Sequence, residues 1–245
     1  MSEDILPFPG VTRLTAGEGR AALGEVIGAS YRAFTAESYQ LHELPPLGGL
    51  VVAEDVLGLV YDAKTEGLGP ISAKGKAADA DGAVYQIHPD LTRTLRSQFS
   101  ALVVAHYAWT ADRTEPLEAR RLVYTYPDTP PRLHYRTSLC SEAELLRFTE
   151  RPQYLRLLMQ ATDCPVDEVI IYVLSRAYTA RGGDRAHLLR TTEFLGRLLK
   201  GQYDRLVAIL ETVESLIADD APAPLPPAGS SLGPGVGQEL FIVQE

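Results

Sequence analysis

Arg176, Arg181, Arg185 and Arg190 crowd around Gly182-Gly183, and Asp184 is the only acid among them. A guanidinium pairs bidentately with a carboxylate or phosphate, so this grouping is the chain's most pointed candidate for binding an anion. A helix starting at that turn would add the positive end of its dipole. The ligand would be phosphate, a nucleic-acid backbone or an acidic patch on a partner. Ion pairs with the protein's own acids across neighbouring helices are the structural alternative. Lysine occurs only at Lys64, Lys74, Lys76 and Lys200, and a GC-rich genome alone would account for that bias toward arginine.

The other reactive side chains form no comparable grouping. His42, His88, His106, His134 and His187 never fall at metal-ligand spacing, and Cys140 and Cys164 make neither a metal motif nor a disulfide framework. His134 closes the run Pro130-Pro131-Arg132-Leu133-His134, where hydrogen bonding that fixes an extended segment is expected ahead of a role as a base. Asp79 and Asp81 before Gly82 lack the further ligands of a calcium loop and read as a turn. Gly17-Glu18-Gly19-Arg20 precedes a candidate strand instead of following one, which argues against a dinucleotide loop. The nearest approach to a phosphate-binding loop is Gly69-Pro70 to Gly75-Lys76. Its first glycine is one position out of register, and Ala77 stands where a Ser or Thr would hold Mg2+. No catalytic, cofactor or metal residue is assigned, and the chain reads as a non-enzyme.

These residues belong to a chain of 245 residues, 45% hydrophobic and 22% charged, ordinary values for one large globular domain or two smaller ones. The net charge of −9 argues against nonspecific nucleic-acid binding as the main activity, because phosphate attraction supplies most of that affinity. Acid is in surplus over residues 22–110, whereas Arg113 to Arg156 is slightly basic. No apolar run reaches the roughly 18 residues of a membrane helix. The opening MSEDILPFPG is acidic and broken by proline, unlike a secretory signal. A cytoplasmic location is expected.

Six segments must position the candidates. Residues 1–21 read as an irregular arm, and residues 22–80 as a small β-barrel. Short strands are expected around Ala29-Ser30 and Thr35-Ala36, at Leu50–Ala53 and Val56–Tyr61, and near Ala73–Ala78. Residues 81–139 read as an α/β elaboration that packs on the barrel or closes it. There Leu91, Leu95 and Phe99 give a helical stripe after Pro89, followed by a buried strand at Ala101–Trp109 and a further strand at Leu133–Leu139. Residues 140–220 read as an all-helical domain of five short helices. Ser141 and Glu144 make a capping box for the first, and Tyr172 and Tyr178 are expected in the core. Beyond them, 221–237 is a Pro/Gly linker, disordered by composition, and 238–245 a terminal peptide. Leu240, Phe241, Ile242 and Val243 in that peptide are apolar and β-prone. They are a candidate docking peptide, expected to add as a strand to a sheet edge of this protein or a partner. The expected fold class is α+β.

The most telling pattern runs from Leu47 to Lys76. Leu50–Ala53, the charged turn Glu54-Asp55, Gly58-Leu59-Val60-Tyr61 and then Lys64-Thr65 resemble the HAS barrel. That small β-barrel sits at the N-terminus of HerA-type DNA-translocating ATPases and of ATP synthase catalytic subunits. The likeness extends roughly from Gly24 to Ala78. The longer chain is similar to a bacterial group of stand-alone HAS-barrel proteins, which share an X-Pro-Pro-X-Leu-His segment and a helical C-terminal region. In these families the barrel is an assembly device and carries no chemistry. The resemblance implies a non-catalytic assembly or adaptor protein, without a cofactor, serving a HerA-type ATPase or nuclease complex in DNA processing. It also implies possible self-assembly. No nucleotide-driven motor motif follows the barrel. The alternative is a nucleic-acid-binding protein that uses the arginine-rich helical turn, because a small barrel also resembles an oligonucleotide-binding fold. That reading needs exposed aromatics on a basic barrel face, and this barrel segment is acidic. Nucleic-acid contact is therefore expected to be weak or indirect.

Overall fold

Alternating burial along the N-terminal strands resolves into staves that circle back on the first. The computed structural model describes residues 21–67, 85, 88–108, 117, 119–162 and 164–219. The arm before residue 21, the loop, strand and turn expected over 69–82, Trp109, the linker 221–237 and the peptide 238–245 all lie outside the described residues. The strands are β1 (Ala22–Ala29), β2 (Ala33–Ser38), β3 (Leu50–Ala53), β4 (Val56–Gly67), β5 (Leu95–Tyr107), β6 (Leu122–Val123) and β7 (Arg136–Leu139). Six of them form a closed antiparallel barrel in the order β1-β2-β5-β4-β3-β7 and back to β1. The short β6 pairs with the end of β5.

Some expectations change here. The stripe Leu91, Leu95, Phe99 is not one helix: α1 covers only Leu91–Thr94, and β5 begins at Leu95. In β5 the inward positions of the first half are Ser97 and Phe99. Serine in an apolar slot hides the two-residue period from the sequence. Its hydroxyl is satisfied by Thr65 Oγ1 at 2.8 Å and by the His42 backbone N–H at 2.7 Å, so burying it is tolerable. Likewise, Ser30 lies past the end of β1 rather than at a strand centre. Its hydroxyl donates to the Ala33 carbonyl and accepts from the Ala33 N–H, shaping the β1–β2 turn. Of the two arrangements left open for residues 81–139, closing the barrel is the one found: β5 and β7 are two of its staves. Barrel strands thus reach from residue 22 to residue 139.

The barrel is solid inside. Val26, Phe34, Val51, Val60, Phe99 and Val103 fill its interior at 2% exposure or less. Gly58 makes room for them: a Cβ there would come within 2.8 Å of both the Phe34 ring and the Ala101 methyl. Strands β3, β4 and β5 are buried on their outer faces too. Leu50, Val52, Leu57, Leu59, Leu102 and Val104 join a second core with the helices. This double burial explains why Leu50–Ala53 and Ala101–Tyr107 are continuously apolar while the exposed end of β4 alternates.

The helices are α2 (Glu142–Thr149), α3 (Tyr154–Leu158), α4 (Val166–Ala180), α5 (Arg185–Leu198) and α6 (Tyr203–Asp219). The capping box stands as the sequence suggests, with Ser141 Oγ accepting from the Glu144 N–H and Glu144 Oε2 from the Ser141 N–H. Tyr107 at the end of β5 donates to Glu144 Oε1 at 3.4 Å, which ties barrel to helix. Gly182 and Gly183, both with positive φ, end α4. Tyr172 and Tyr178 are half-buried rather than wholly inside the core. Among the described residues no helix is long and apolar enough to cross a membrane.

Candidate functional site

The four arginines do not converge on one surface. Arg181, only 10% exposed, spends its guanidinium on α2. It donates to Thr149 Oγ1 and to the Leu146 carbonyl, both at 2.7 Å, and lies 3.9 Å from Glu150. Burial pulls its pKa down, with Glu150 pulling the other way. The reason for this placement is that an eight-residue helix leaves its last carbonyls without intrahelical partners. At α2 they are met by three side chains from elsewhere. Arg181 serves Leu146, Tyr124 Oη donates to Phe148 O at 2.7 Å, and His187 Nε2 donates to Thr149 O at 2.8 Å.

Arg185 and Arg190 are exposed on α5. The N-terminus they flank already holds a carboxylate: Asp184 Oδ1 accepts from the His187 N–H at 3.0 Å, and that bond holds the Asp184 pKa below its usual range. Other arginines pair within the fold. Arg205 grips both carboxylate oxygens of Asp167, tying α6 to the start of α4. Arg132 donates through its backbone N–H and guanidinium to Glu54 in the β3–β4 turn.

Arg176 is different. It is half-buried on α4, its pKa lowered first by desolvation, and among the described residues it has neither a hydrogen bond nor an ion pair. It faces a cavity of about 540 Å³ between the barrel rim and helices α2, α4 and α6. The apolar part of the lining is Leu50, Leu139, Leu145, Tyr172 and Leu216. Gly48 permits this junction, since a Cβ there would lie 2.7 Å from Tyr172 Cβ. The lining could not be found from sequence, because it gathers side chains from both ends of the fold.

A second surface is the outer wall of β1 and β7, from which no residue joins the helix-facing core. Large apolar side chains stay exposed on and beside it: Ile27 at 36%, Tyr31 and Tyr39 at 53%, Leu133 at 53% and Tyr135 at 40%. Its charges are largely paired. His134 Nδ1 lies 3.1 Å from Glu25 Oε1, which joins the extended segment to β1, and on the adjoining staves β2 and β5 Arg96 lies 3.2 Å from Glu37. The Arg132 guanidinium stacks 4.1 Å from the Tyr135 ring centre. Among the described residues no three His, Cys, Asp or Glu side chains gather to hold a metal ion.

Fold and surfaces together define an α+β protein built on a small closed barrel that helices cover on one side. The chain matches no known family model, and none of the curated proteins compared with it is similar.

Proposed function

We propose that this protein is a non-catalytic assembly or adaptor subunit that holds a protein partner on the uncovered wall of its barrel. The partner class is a HerA-type ATPase, or a nuclease that works with one, in DNA processing. The observation that carries the reading is the wall itself: Ile27, Tyr31, Tyr39, Leu133 and Tyr135 stay exposed where the helices do not reach. Tyrosines beside aliphatic side chains and paired charges are the composition of a protein-binding surface. The filled barrel interior supports the same reading, because it leaves no room for a ligand inside the staves. The HAS-like pattern of Leu50 to Thr65 supplies the class of partner. On this reading nucleic-acid contact is weak or indirect, because the exposed arginines of α5 stand in a chain of net charge −9.

Affinity purification from the organism that makes the protein tests this. The expected result is a HerA-type ATPase or nuclease, or a ring of the chain itself. It should be lost in the Ile27→Glu/Tyr135→Glu variant and kept in Leu189→Glu, which alters an exposed leucine on α5. A monomer with no such partner, or recovery indifferent to the wall substitutions, overturns the proposal.

A further inference from the structure

An arginine half out of water with no counter-charge is an incomplete arrangement, because desolvation of the cation is repaid only by an anion or by hydrogen bonds. Among the described residues Arg176 is in this position, beside a cavity that is large enough for a few side chains and lined by apolar residues together with Ser141, Glu142, Ser175 and Thr179. What completes it should be apolar with a negative group at one end. The N-terminus of α2, with Ser141 and Glu142 in the lining, adds a positive dipole, although the exposed Glu142 carboxylate at the rim disfavours an anion placed there.

The chain carries such a segment within reach. Helix α6 sets Leu216 into the cavity wall and ends three residues later, at Asp219. Less than one helical turn, about 5 Å, separates the cavity from the point where the chain leaves α6. Twenty residues on comes Glu239-Leu240-Phe241-Ile242-Val243, and residues 238–245 contain two glutamates and no basic residue. A flexible chain of that length would span about 25 Å and hold its end at roughly millimolar effective concentration.

We infer that Glu239–Val243 docks in the cavity of its own chain, with the Glu239 carboxylate against Arg176 and the apolar side chains among Leu50, Leu145, Tyr172 and Leu216. The protein thereby shields the apolar part of its own cavity. A partner that competes for the cavity would release the peptide.

Cys140 lines the same cavity, whereas Cys164 does not, which gives a direct test in the full-length chain. Phe241→Cys is introduced and the dilute protein is treated with diamide. An intramolecular disulfide to Cys140, found by peptide mass mapping, is the expected product. Adding Arg176→Glu should lower its yield roughly five-fold, the effect of losing about 1 kcal/mol of ion pairing, and Glu239→Arg on top should restore it. Arg176→Gln, neutral and close in size, should lower it as well, and serves if the charge reversal fails to fold. Cross-linking to Cys164 at an equal rate, cross-links only between copies, or a yield indifferent to Arg176 would each overturn the inference. None of these outcomes depends on a partner binding the barrel wall.

Discussion

Tyr154 is wholly buried, and its hydroxyl has no hydrogen-bond partner among the described residues. Such a group forfeits its hydration without return. Tyr154→Phe is therefore expected to raise Tm by about 2–4 °C, and a melt that falls instead would mean the hydroxyl is satisfied. Gly58 carries the opposite prediction. Gly58→Val would drive a methyl into the Phe34 ring and Ala101, and should cost about 2–3 kcal/mol in urea unfolding. Asp55, in the β3–β4 turn, has its pKa raised chiefly by burial. Its proton is held more tightly folded than unfolded, so the associated stability is full below the unfolded pKa and lost as pH rises through the folded one. At pH 7 the ionised carboxylate is a burden. Asp55→Asn should then melt higher than the parent at pH 7, with the difference vanishing below about pH 4.

Among the elements, α2 shows most clearly why a residue's role depends on what its neighbours lack. Arg181→Met should destabilise the protein by about 1–3 kcal/mol, because it strips a donor from buried helix-end carbonyls. Combined with His187→Leu, which strips another, the loss should be non-additive in a double-mutant cycle. Additive losses would show that the two donors act on α2 independently. The sequence made the helix starts visible: Ser141 with Glu144, Asp184 and the Gly182-Gly183 stop act within a few residues of themselves. It made the doubly buried strands visible as apolar runs. It did not expose the first half of β5, where Leu91, Leu95 and Phe99 mimic a helix while Ser97 breaks the strand's alternation. Nor did it place Arg181 and Arg176. Their different fates follow from α2 and from a cavity, both made by segments distant in the chain.

At the scale of the molecule, barrel and helices share β3, β4 and β5 as a common wall, with one core on each side. Neither core is complete without that sheet. Chemical denaturation should therefore give coincident transitions by far-ultraviolet circular dichroism and tyrosine fluorescence. A fragment ending at residue 139 should aggregate, because it would expose Leu57, Leu59, Leu102 and Val104 together. Two separated transitions would contradict this coupling.

The position of β7 has a consequence for how the protein is made. The stave that sits between β1 and β3 is the last of the barrel to be synthesised. Until residue 139 clears the ribosome, the seam stays open, and β1 and β3 each show a bare line of amide and carbonyl groups to whatever is nearby. Closure must wait for contacts spanning about a hundred residues, which slows folding. Translation speed through the stretch between β5 and β7 thus sets how long the newborn chain remains adhesive, and a chaperone would have most to do in that interval.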